Sequence, residues 1–140
     1  MSDVQDLYQA IDDNAIERAL KLLARDGGLA DSTEETPPPV HWAIYRDNAA
    51  MVELLLDHGA CIERKDQDRD ATPLDYAIVY CRKDIIRRLI CRGANVEGRM
   101  DLARRGASGA FEGFDELPSR DTYEDVVQII DELATEGSTG

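Results

Sequence analysis

Two segments of the chain repeat each other at a fixed distance, and a period of this kind limits the architecture more than any other feature does. Val40-His41-Trp42-Ala43-Ile44 and Leu74-Asp75-Tyr76-Ala77-Ile78 stand in the same place ahead of Met51-Val52-Glu53-Leu54-Leu55-Leu56 and Ile85-Ile86-Arg87-Arg88-Leu89-Ile90. Gly59-Ala60 and Gly93-Ala94 close the two units, and 34 residues separate Val40 from Leu74 and Gly59 from Gly93. The apolar spacing inside each unit is helical, as in Ile85, Ile86, Leu89 and Ile90. Each glycine follows a helix, where a left-handed residue closes the last turn at little cost. Both units therefore read as helix, short turn, helix, glycine stop.

Two less regular copies flank these. Leu7 to Ile11 reads as a first helix and Ile16, Ala19, Leu20, Leu22 and Leu23 as the inner face of a second, stopping at Gly27-Gly28. Further on, Met100-Asp101-Leu102-Ala103 starts a first helix, Gly106 to Ser119 reads as an insertion, and Val126, Val127, Ile130 and Leu133 form a closing helix before Gly137. The expected layout is one domain over residues 1–140, with repeats at about 4–35, 36–70, 71–98 and 99–137 and an insertion at 106–119.

Thr72-Pro73-Leu74-Asp75-Tyr76-Ala77 and Pro38-Pro39-Val40-His41-Trp42-Ala43 carry a further resemblance. The chain resembles the ankyrin repeat family, whose repeat of about 33 residues bears a T-P-L-H-x-A signature. The first motif departs at Asp75, where the family has His, and the second at Pro38, where it has Thr. One extra residue between Gly59 and Thr72 implies a remodelled turn at Asp66 to Ala71. The resemblance implies an all-α solenoid of about four helix-turn-helix units joined by short β-turn or hairpin-like loops. It implies that Thr72 caps its helix with Pro73 at the first helical position, whereas the helix near Val40 lacks a side-chain cap. It also implies that His41 bridges successive repeats by hydrogen bonds. Asp75 is expected to serve that role only as an acceptor, leaving a weak junction.

Charge narrows the function. Sixteen Lys and Arg against 29 Asp and Glu leave a net charge of -13, which disfavours nucleic acid as the primary ligand and anionic membrane as a surface. The apolar fraction of 43% is too high for the acidity to signal disorder. The charge is segmented: residues 1–60 carry 4 basic and 12 acidic side chains, residues 61–105 carry 11 and 8, and residues 106–140 carry 1 and 9. Arg82, Lys83, Arg87, Arg88 and Arg92 crowd the middle. Neither a signal peptide nor a spanning helix is legible. The odd set Cys61, Cys81 and Cys91 fits reduced thiols, so the expected location is cytoplasmic.

No catalytic constellation emerges. His41 belongs to the signature and His58 precedes a terminal glycine, a solvated or partner-facing position. His58-Gly59-Ala60-Cys61 supplies two ligands where a structural zinc site needs four. Pairs such as Asp12-Asp13 and Asp115-Glu116 are common among 29 acids, and neither a phosphate loop nor a nucleophile elbow is present. The expectation is a non-enzymatic protein without cofactor or metal.

In a repeat stack of this family, helix ends and inter-repeat turns line one concave binding face. The helix-end positions read Asp12 and Asp13, Tyr45 and Arg46, Val79 and Tyr80, Arg104 and Arg105, and the turn positions include His58, Asp68 and Arg69. Tyr and Arg are enriched at the energetic centres of interfaces. Trp42 and Tyr76 read instead as stack-facing core. Phe111 and Phe114, with Leu117, either cover the exposed end of the stack or offer an acidic-aromatic segment to a partner; the cap is the preferred reading. The expected function is protein-protein interaction through the groove with a partner bearing a basic patch, as an inhibitor or immunity-type protein would bind. A small-molecule binder or enzyme using a pocket between groove and insertion is the rival reading.

Overall fold

The computed structural model describes residues 3–32, 37–67, 70–111 and 117–138, with side chains as far as residue 134. Eight α-helices and no strand lie among the described residues. They fall into two compact units, Met1–Pro73 and Leu74–Gly140. The first holds α1 (Asp3–Asp12), α2 (Ile16–Arg25), a short 3-10 turn (Leu29–Asp31), α3 (Pro39–Tyr45) and α4 (Ala49–Asp57). The second holds α5 (Pro73–Val79, entered from the last residue of the first unit), α6 (Lys83–Cys91), α7 (Arg99–Ala107) and α8 (Arg120–Ser138).

The period recurs in the backbone. Asn14, Asp47, Cys81 and Gly109 have positive φ of 53°, 56°, 54° and 95°, each just after a first helix. A bond spanning five residues closes each of these turns: Ala15 N–H to the Ala10 carbonyl at 2.8 Å, Asn48 to Ala43 at 3.0 Å, Arg82 to Ala77 at 2.8 Å and Ala110 to Arg105 at 3.0 Å. Gly59 (φ 103°) and Gly93 (φ 95°) supply the left-handed stop after α4 and α6, with Ala60 N–H on the Leu55 carbonyl and Ala94 on Leu89, both at 3.0 Å. The first copy ends differently. Asp26, not a glycine, caps α2 in an extended conformation, and Gly28 sits at φ -95° ahead of the 3-10 turn.

Each unit has its own apolar core. Leu7, Ile11, Ile44, Met51 and Leu55 are fully buried in the first, and Leu74, Ile78, Ile85, Ile86, Leu89, Tyr123 and Ile130 in the second. Each such side chain contributes about 1.5–3 kcal/mol relative to exposure. Between the first two repeats, Arg64 grips Asp31 with two bonds of 2.6 Å.

The signature positions behave in two ways. Pro38 offers no side-chain cap to α3, as its sequence requires, whereas Asn48 caps α4 by accepting from Met51 N–H at 3.1 Å. Fully buried His41 meets the Ala71 carbonyl through Nε2 at 2.8 Å, a bridge from the second repeat to the start of the third. The junction expected to be weak at Asp75 is spanned by an ion pair. Arg99 Nε lies 3.0 Å from Asp75 Oδ1, and both side chains are about four-fifths buried. A charge pair to the next repeat thus replaces the neutral bridge.

Two boundaries are corrected. α7 continues through Gly106 to Ala107, so the inserted segment starts at Ser108. Glycine suits this helical position because the Tyr123 ring occupies the space where a Cβ would stand. α8 likewise runs past Gly137 to Ser138 instead of stopping before it.

Candidate partner-binding surface

The first unit concentrates aromatic and charged groups where α1 meets α3. Tyr8 and Asp12 lie four apart on α1, and Trp42, Tyr45 and Arg46 lie three and four apart on α3, so each set shares a helix face. Trp42 Nε1–H donates to Asp12 Oδ1 at 2.8 Å, and Arg46 Nε stands 3.4 Å from the same oxygen. The Trp42 ring stacks on Tyr45 with centroids 5.4 Å apart and planes 18° off parallel. Tyr8 approaches the indole at 6.5 Å, tilted by 50°, and its hydroxyl donates to the Pro37 carbonyl. Tyr8, Trp42 and Tyr45 are all half-buried and Arg46 is exposed. A rigid aromatic surface with a carboxylate and a guanidinium at its edge is the result.

The neighbouring turns extend it. Asp13 accepts from Arg18 at 2.6 Å and from Gln9 at 3.0 Å, and the Arg18 hydrogen bond first, then that of Gln9, holds its carboxyl below the usual range. Asn48 Nδ2 donates to Asn14 Oδ1 at 2.8 Å, tying two inter-helix turns together.

In the second unit Tyr76 is buried and Tyr80 half-buried, with centroids 5.9 Å apart. Arg82 lies 5.8 Å from the centre of the Tyr80 ring, within cation–π range. The Val79 carbonyl accepts from the Tyr123 hydroxyl, so Val79 contributes backbone to internal packing. Phe111 packs on Tyr123 at 5.5 Å.

Several predicted positions move. Counting back from the left-handed residue of each repeat, Asp12/Asp13, Tyr45/Arg46 and Val79/Tyr80 have Ala107 and Ser108 as their fourth counterpart. Arg104 and Arg105 are exposed in the last turn of α7 but stand about a turn earlier than the expected register. Trp42 does face the preceding repeat, through Tyr8 and Asp12, but it is half-buried and not core. Its signal was in the sequence: α3 buries Val40, His41, Ala43 and Ile44, which leaves Trp42 and Tyr45 together on the other face. His58 is half-buried at the C-cap of α4. Asp68, Arg69 and residues 112–116, Phe114 among them, lie outside the described residues. Among the described residues no group of three or more His, Cys, Asp or Glu is placed to hold a metal, and no helix is long and apolar enough to cross a membrane.

The family model for ankyrin repeats in three copies matches residues 7–100. The chain belongs to the ankyrin repeat family. Ankyrin repeats are protein-protein interaction modules, typically without enzymatic activity. Among similar proteins, Ankyrin repeat and SOCS box protein 6 of Pongo abelii is 38% identical over 84 residues, 56% of this chain and 20% of that protein. The Homo sapiens protein of the same name is 37% identical over 84 residues, with the same shares. A putative palmitoyltransferase ZDHHC13 of Danio rerio is 27% identical over 90 residues, covering 64% of this chain and 14% of that protein. The chain thus spans about a fifth or less of the ankyrin proteins it matches.

Proposed function

We propose that this chain is a non-enzymatic, cytoplasmic binding module. Its partner is a protein docked on the α1–α3 surface centred on Trp42, Tyr45, Asp12 and Arg46. The stacked indole and phenol support this reading above all: an indole held by a hydrogen bond to Asp12, with a phenol stacked on it, loses little rotamer freedom on binding, so the contact area counts nearly in full. Asp12 and Asp13 at the edge, and the net charge of -13, favour a partner with a basic patch, reached by electrostatic steering. Covering such a patch is how the module would act as an inhibitor.

The test starts from capture of the partner on the immobilised chain, identification by mass spectrometry and isothermal titration of the purified pair. Trp42→Ala and Tyr45→Ala are each expected to weaken binding by about tenfold or more, the loss typical of a central aromatic. The association rate is expected to fall as salt rises. Folded variants that bind with unchanged affinity would remove this surface from consideration.

A further inference from the structure

The second helices of the last two repeats place opposite charges side by side. α6 exposes Arg87 and Arg88 and half-exposes Lys83, with Arg92 at its C-cap and Asp84 as its acid. The neighbouring α8 exposes Asp121, Glu124, Asp125, Asp131 and Glu132, with Arg120 at its start. Between the two helices runs a groove of about 270 Å³. Its floor is the buried Ile129, one wall carries Lys83 and Arg87, and the other carries Asp125, Gln128 and Glu132. Lys83 Nζ reaches across to Asp125 Oδ2 at 2.9 Å. Arg87, one turn along, is exposed and pairs with no described residue.

A basic strip beside an acidic strip is complementary to itself under one choice of symmetry axis. A two-fold axis across the groove lays α6 on α6 and α8 on α8, and like charges meet. A two-fold axis along the groove lays α6 of one copy on α8 of the other, and preserves position along the groove. We propose that a second copy of this chain docks here through such an axis, with Arg87 of each copy reaching about a turn along the groove to Glu132 of the other.

The size of the face makes this association weak. The described charged stretch of α8 is about 20 Å long, and two adjacent helices are about 20 Å wide, so each copy covers roughly 400 Å². Standard interfaces bury about 1,200–2,000 Å² in total. The overall negative charge opposes the contact, but beyond about 8 Å it is largely screened at physiological salt.

Sedimentation velocity of the wild-type chain from tens to hundreds of micromolar is expected to show reversible dimerisation. Arg87→Glu and Glu132→Arg are each expected to weaken it by about tenfold or more, because two like-charge contacts form. An equimolar mixture of the two variants is expected to regain dimer, since both contacts become attractive in the mixed pair. Lys21→Glu and Glu17→Arg, exposed on α2, repeat the net-charge changes elsewhere and should leave dimerisation at the wild-type level. A wild-type chain that stays monomeric throughout the range overturns the proposal. So do single reversals without effect, or a mixture that stays as monomeric as its components.

Discussion

The ring of Tyr123 lies so close to Gly106 that a Cβ on the glycine would overlap it. Tyr123 is fully buried. Its hydroxyl donates to the Val79 carbonyl and Phe111 covers another side, so one side chain of α8 is seated on α7, on the end of α5 and under the start of the inserted segment. Gly106→Ala forces the ring or a helix to shift and is expected to cost about 1–3 kcal/mol, the usual range for overpacking. Gly93→Ala meets no neighbour within 4 Å, and its expected cost of about 1–2 kcal/mol comes from backbone strain at positive φ alone. Urea unfolding separates the two causes when repeated on a Tyr123→Leu background. The Gly106→Ala cost should shrink there, and the Gly93→Ala cost should not.

Asp75 stands where the family has His, so by the family pattern alone restoring His should repair the repeat. The structure gives the opposite sign. Arg99 pairs with Asp75 at 3.0 Å with both side chains largely buried, and Asp75→His would remove the negative charge that faces this cation, leaving the Glu97 carbonyl as another partner. Destabilisation of at least about 1 kcal/mol is expected. A double-mutant cycle with Asp75→Ala and Arg99→Ala should give a coupling of about 0.5–3 kcal/mol; a coupling near zero would refute the pairing.

Acid should loosen the first unit through Asp31. Its hydrogen bonds from Arg64 hold its carboxyl below the usual carboxylate value, against the opposing effect of burial. A group whose pKa is depressed on folding stabilises the native state above its unfolded pKa, near 4, and ceases to do so as pH falls through the folded value. The stability difference between wild type and Asp31→Asn is therefore expected to be full at neutral pH and to shrink below about pH 4. Urea midpoints measured across that range check it. A difference that grows on acidification would contradict the assignment.

The repeat was legible because its signals are local. The 34-residue spacing of Gly59 and Gly93 reappears as positive φ at both, and the missing cap at Pro38 is missing in the structure. What escaped depends on partners distant in sequence. Arg99 answers Asp75 from 24 residues away, with no local pattern announcing it. Gly106 reads as a helix breaker by propensity, whereas α7 keeps it because Tyr123 needs the space. That misreading shifted the fourth repeat's helix end from Ala107 and Ser108 to Arg104 and Arg105. Trp42 reads as core from its place within the helix, whereas its i, i+3 relation to Tyr45 sets both apart from the buried Val40, His41, Ala43 and Ile44.

The three cysteines should separate by reactivity. The thiolate is the attacking species in alkylation, and Cys61 and Cys91 are exposed. Burial pushes the Cys81 thiol up to about 12, outweighing the opposing charges of Lys83 and Arg82. At pH near 8 only about one Cys81 in ten thousand is then ionised. Iodoacetamide followed by peptide mapping is expected to label Cys61 and Cys91 at least about tenfold faster than Cys81 in the folded chain. All three should react alike in strong denaturant, where burial no longer disfavours the charge. Gly106→Ala connects this readout to the packing of α8. By weakening the seat of Tyr123 beside the turn that holds Cys81, it should raise the labelling rate of Cys81 while leaving Cys61 unchanged. Equal labelling of all three thiols in the folded wild type would show that Cys81 is not shielded as the structure places it.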